Sequence, residues 1–60
     1  MTYTIEWEDQ YDNVERYEHG YVSVRDAIAI ADFMYQTRKD YKRISVVDTT
    51  TGRVVHDYQH

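Results

Sequence analysis

The stretches Arg43-Ile44-Ser45-Val46-Val47-Asp48 and Arg53-Val54-Val55-His56-Asp57-Tyr58, joined by Thr49-Thr50-Thr51-Gly52, decide how this chain folds. Both flanks are rich in β-branched residues, which favour extended backbone, and Gly52 supplies the left-handed conformation that a short loop needs. The segment reads as a β-hairpin. With Asp48 opposite Arg53, an unbroken ladder sets Val46 across from Val55 and Ile44 across from Asp57 on one face. Val47 and Val54 then meet on the other.

Moving toward the N-terminus, residues Val24 to Asp40 follow a helical period. At about 100° per residue, Val24, Ala27, Ile28, Ala31, Met34 and Tyr35 fall into one apolar stripe, with Ile30 at its margin. Ser23-Val24-Arg25-Asp26 has the form of a capping box with Asp in the usual Glu position, and Val22 and Ala27 are placed to staple it. Two residues depart from the pattern. Phe33, with Ala29 one turn before it, projects among Asp26, Gln36 and Asp40, whereas Arg38 falls on the apolar axis, where its stem can snorkel outward.

Earlier still, Tyr3, Ile5 and Trp7 alternate with Thr2, Thr4, Glu6 and Glu8, the pattern of a half-buried strand. The turn formers Asp9-Gln10-Tyr11-Asp12-Asn13 follow, and Val14 to His19 reads as a returning strand with Tyr17 inward, ended by Gly20. The chain is thus α+β, ordered β-β-α-β-β over residues 1–60 as a single domain. Its expected form is a four-stranded antiparallel sheet with one helix packed on one face. A lone helix roofs one side of a sheet, so Val47, Val54, Tyr58 and the Thr2/Thr4 row are expected to be wet or covered by a partner.

Sixty residues without cysteine or proline admit no second core, disulfide framework or thiolate metal site. Eleven acidic against seven basic side chains give a charge of −4, which opposes nonspecific binding to nucleic acid or anionic lipid. The longest apolar run, Ala27 to Ala31, is far short of the ~20 residues of a membrane span. The opening Met1 to Glu8 has neither a positive n-region nor an apolar h-region, so the expected location is the cytoplasm, or the host cytoplasm if the chain is viral. Common catalytic parts are missing: no cysteine nucleophile, no G-x-S-x-G, and only two glycines from which to build a phosphate cradle. His19, His56 and His60 lack ligand spacing. These readings predict no enzyme, no cofactor, no metal and no small-molecule substrate.

Three features remain. Glu6, Glu8, Asp9, Asp12, Glu15 and Glu18 lie in the first twenty residues with only Arg16 to offset them, and Tyr11 and Tyr17 stand among them as aromatic anchors. In size, charge and an early acidic hairpin the chain is similar to small phage-encoded acidic inhibitors, some of which block uracil-DNA glycosylase. No motif aligns with them residue by residue, and no site is carried over. A basic cluster, Arg38, Lys39, Lys42 and Arg43 around Tyr41, follows the helix, where cations favour the free carbonyls. Exposed Phe33 is the third. The resulting expectation is a non-catalytic interaction protein of bacterial or phage origin. Its partner is another protein or a second copy, through Glu6, Glu8, Asp9, Tyr11, Asp12, Glu15, Phe33, Val47 or Val54. A nucleic-acid decoy using the acidic hairpin is the alternative reading. Nucleic-acid binding through Arg38, Lys39, Tyr41, Lys42 and Arg43 is the third, disfavoured by net charge.

Overall fold

A computed structural model describes residues 2–17 and 20–59; Glu18, His19 and His60, invoked above, lie outside the described residues. The elements run β1 (Tyr3–Asp9), β2 (Val14–Arg16), α1 (Val24–Thr37), β3 (Tyr41–Asp48) and β4 (Arg53–Gln59). All strand pairs are antiparallel, and the sheet order is β2-β1-β3-β4. The expected α+β architecture, one helix on one face of a four-stranded sheet, is therefore present. Among the described residues, no helix is long and apolar enough to cross a membrane.

The core lies between the helix and the two central strands. Ile5, Ile44 and Val46 project from the sheet onto Ala27, Ala31 and Met34, all of them buried. The two alanines let the helix backbone come close to the sheet, and on the order of 1.5–3 kcal/mol accompanies burial of each large aliphatic side chain. Toward β4, Tyr35 stacks on Tyr58 at 5.1 Å between ring centres. Burial, with the negative charge of Asp32 as a lesser cause, pushes the Tyr58 hydroxyl pKa up.

The helix ends before the sequence pattern does. Thr37 donates its hydroxyl to the Phe33 carbonyl, and Arg38 leaves helical geometry at φ −111°, ψ 76°. Tyr41 N–H then bonds to the Arg38 carbonyl, turning the chain into β3. Residues 38–40 thus serve the reversal rather than a last helical turn, and Arg38 never reaches the apolar axis. Ser23 occupies the N-cap position with extended backbone but makes no side-chain cap bond, and exposed Val22 staples nothing. The first turn is closed instead by Ala27 N–H on the Ser23 carbonyl at 3.2 Å.

The second hairpin keeps its expected turn and loses its expected register. Gly52 sits at φ 75° in the loop, Asp48 pairs with Arg53, and Val47 pairs with Val54. A bulge then intervenes: Val46 meets His56, Ser45 meets Asp57 and Ile44 meets Tyr58. Without it, Asp57 would lie opposite Ile44 beneath the helix, a buried carboxylate with no cation. The extra residue moves Asp57 to the other face, where it accepts the Ser45 hydroxyl at 2.8 Å, and turns Tyr58 into the core.

The face without a helix is less bare than a one-roof argument implies. Val47 is only 4% exposed, flanked by Thr4 on β1 and Val54 on β4, and Thr4 is buried with its hydroxyl bonded to the Tyr17 carbonyl. Val54, on the edge strand, is 52% exposed. Tyr58 belongs to the helix side. Val47 is therefore covered within the chain, neither wet nor in need of a partner, contrary to expectation.

Deleting Val55 should leave every observed pair of the hairpin in place as a regular ladder, with cooperative unfolding and a loss below about 1 kcal/mol. Tyr58→Ala should cost about 2 kcal/mol through the lost stack and packing. Urea unfolding of both variants checks this, and a deletion more damaging than Tyr58→Ala would refute it.

Candidate functional site

The seating of the helix determines what the sheet leaves open. Helix α1 packs against β3, β1 and β4 and makes no contact with β2. The part of the helix-side face belonging to β1 and β2 is thus unroofed, and its residues are large. Trp7 lies there with Tyr17 edge-on at 4.9 Å and Tyr41 stacked at 5.9 Å. Tyr21 enters beside them, its backbone exchanging two hydrogen bonds with Tyr3 at 2.6 and 2.7 Å.

The opposite wall is the near flank of the helix. Residues 30, 33, 34 and 37 follow the i, i+3, i+4, i+7 rule, so Ile30, Phe33, Met34 and Thr37 line one side of a groove of about 570 Å³ whose floor is Trp7. Arg38 contributes the one cation of its lining. Phe33 is 65% exposed, in agreement with the helical projection. Ala29, one turn before it, is exposed as expected, and Ile30, also exposed, joins Phe33 in the groove wall.

The acidic hairpin resolves into separate tasks. Glu6 forms an ion pair with Arg16 on the face away from the helix. Glu8 shares that face, with Val14 and Arg43 as its cross-strand neighbours. Asp9 builds the turn: its carboxylate accepts the backbone N–H groups of Tyr11 at 2.8 Å and Asn13 at 3.0 Å, and the Asn13 amide at 3.1 Å. Those bonds, the Asn13 backbone bond foremost, hold the Asp9 pKa below the usual carboxylate range. Asp12 takes a left-handed φ of 65°, which aspartate tolerates, and pairs with Lys42 at 2.6 Å. Glu15 faces the helix side and accepts the Trp7 indole N–H at 3.1 Å. Tyr11, at the tip, is 82% exposed.

The basic cluster is dispersed by its backbone. Lys39 lies 5.7 Å above the Tyr35 ring, and Tyr41 turns inward onto Trp7. Lys42 reaches back to Asp12, whose hydrogen bond and charge push the lysine pKa up. Arg43 is half-buried opposite Glu8 and Gln59. Arg38 meets the helix carbonyls through its backbone N–H on Met34, and no basic residue lies in the last helical turn.

Of the residues singled out from sequence for protein contact, Phe33 and the aromatic anchor Tyr17 line the groove, and Glu15 bonds to Trp7 at its floor. Trp7, Tyr21 and Ile30 were missed. The available signals were the excess of aromatic residues over what one small core can hold and the Ile30/Phe33 spacing on one helix flank. No family model matches the chain, and no curated protein or solved structure matches it.

The turn chemistry predicts a pH dependence. Because the folded Asp9 pKa lies below its unfolded value, the stability it adds is complete at neutral pH and is lost as the pH falls through the folded value. Asp9→Ala should lower the Tm at neutral pH and show a shallower fall in Tm than the wild type between about pH 5 and pH 3. Thermal unfolding followed across that range is the measurement; parallel curves would remove Asp9 as a contributor.

Proposed function

We propose that this chain is a non-catalytic interaction protein that works through protein contacts, and that its contact surface is the groove between helix α1 and strands β1 and β2. One observation carries the reading. An exposed phenylalanine and isoleucine on one wall face a tryptophan and three tyrosines across a concavity with a predominantly apolar lining. Aromatic anchors in a water-excluding depression are the side chains that concentrate binding energy at protein interfaces. Leaving Phe33 in water gains the monomer nothing, since the core closes beneath Met34 without it.

The chemistry available at the groove favours binding over catalysis. Its lining contains no carboxylate, and the hairpin acid with a resolved pKa shift, Asp9, is shifted down, away from the range of a general acid at neutral pH. A nucleic-acid decoy draws less support, because Glu6 is paired with Arg16 and Asp12 with Lys42 rather than arrayed as free phosphate mimics.

The reading separates stability from association. Phe33→Ser should leave the Tm within about 3 °C of the wild type, as a substitution at an exposed site does, while weakening a groove partner by about 30-fold or more. Paired affinity capture with wild-type, Phe33→Ser and Val54→Ser baits, quantified together with melting curves, makes the comparison. Proteins retained by the first and third baits and lost from the second are the expected result. A Tm collapse in Phe33→Ser, or identical captured sets, would overturn it.

A further inference from the structure

The groove does not end at its aromatic wall. Tyr41, stacked on Trp7, also borders a shallower depression of about 380 Å³ formed with Asp9, Gln10, Tyr11, Glu15 and Asp40. The two concavities share that ring, so one is apolar and the other, beside it, is acidic. Three carboxylates border the depression, and no lysine or arginine does. Lys42, the cation of β3 nearest in sequence to Tyr41, is bonded to Asp12.

The carboxylates are placed rather than merely abundant. Glu15 is held by the Trp7 indole N–H, which couples the acidic side of the site to the floor of the groove. Asp9 is fixed by the turn that it organises. Asp40 lies in the reversal between α1 and β3, brought there because the helix stops at Thr37. Tyr41 and exposed Tyr11 line the same depression, bringing aromatic rings beside its carboxylates.

Resting on the reading of the groove as a protein contact, we infer that its occupant is a basic amphipathic segment of another protein. A large apolar side chain would lie between Phe33 and Trp7, and a lysine or arginine beside it would lie over Glu15 and Asp40. Charge selects this occupant. A second copy of the chain brings a net charge of −4 to a site already bordered by three carboxylates. A nucleic acid brings phosphates to the same carboxylates, with Arg38 alone in the groove lining to receive them.

Trp7 is the only tryptophan in the chain, so its fluorescence reports on the groove itself. The probe is a random dodecapeptide library displayed on phage, panned against the intact protein and, in parallel, against Phe33→Ser. Selected sequences are expected to join an aromatic or branched apolar residue to Lys or Arg and to be absent from the Phe33→Ser selection. Resynthesised, they should shift Trp7 emission. The doubly neutralised variant Glu15→Gln/Asp40→Asn should bind them about tenfold more weakly at low salt, the difference shrinking at high salt.

Apolar sequences without enrichment of Lys or Arg would overturn the charge inference and leave the groove standing. Equal recovery on Phe33→Ser would overturn both. Sedimentation showing a dimer whose formation alone shifts Trp7 emission would give the groove to a second copy and overturn the inference.

Discussion

Two alanines govern the shape of this protein. Ala27 and Ala31 let helix α1 lie close against Ile5, Ile44 and Val46, over the middle of the sheet. A helix set that close cannot also lie over Trp7, Tyr17 and Tyr41, whose rings occupy the β1–β2 side of the same face. The roof therefore covers the aliphatic middle of the sheet and stops short of the aromatic residues on the β1–β2 side. Everything proposed about binding follows from that offset.

The uncovered surface accordingly lies beside the helix rather than across the sheet from it. On the far side, Val47 is buried by its neighbours on β1 and β4, as residues of central strands often are when flanking side chains are branched. Beside the helix, aromatic area is larger than one fourteen-residue helix can shelter. The shortage of cover lies beside the helix and not, as expected, at Val47 and Thr4 on the far face, because its location depends on side-chain size rather than on the number of faces.

Charge follows a similar course. A linear count suggests an acidic hairpin and a basic cluster as two opposing fields. In three dimensions Arg16 pairs with Glu6 and Lys42 with Asp12, so each block is partly neutralised, the first from within and the second by the other. Exposed pairs of this kind add little to stability. Their consequence is distributional: they leave Asp9, Glu15 and Asp40 as the acids bordering the depression next to the groove.

Much was legible from residues alone. The alternation of Tyr3, Ile5 and Trp7, the helical stripe of Ala27, Ala31 and Met34, the loop at Gly52 and the exposure of Phe33 all follow from local periodicity and turn chemistry, which neighbouring residues in the chain express without help. Register was not legible, because Asp57 or Tyr58 can occupy the core position only according to which alternative costs less when buried. The bulge at Val46/Val47 is that decision. Nor was the groove, since its walls come from β1, the segment after β2, α1 and β3, up to thirty-odd positions apart in the chain, on the scale of the Lys42–Asp12 contact separation of 30. Local sequence determined which elements form and which way each is amphipathic; only packing, through the different sizes of alanine and tryptophan, decided where the cover runs out.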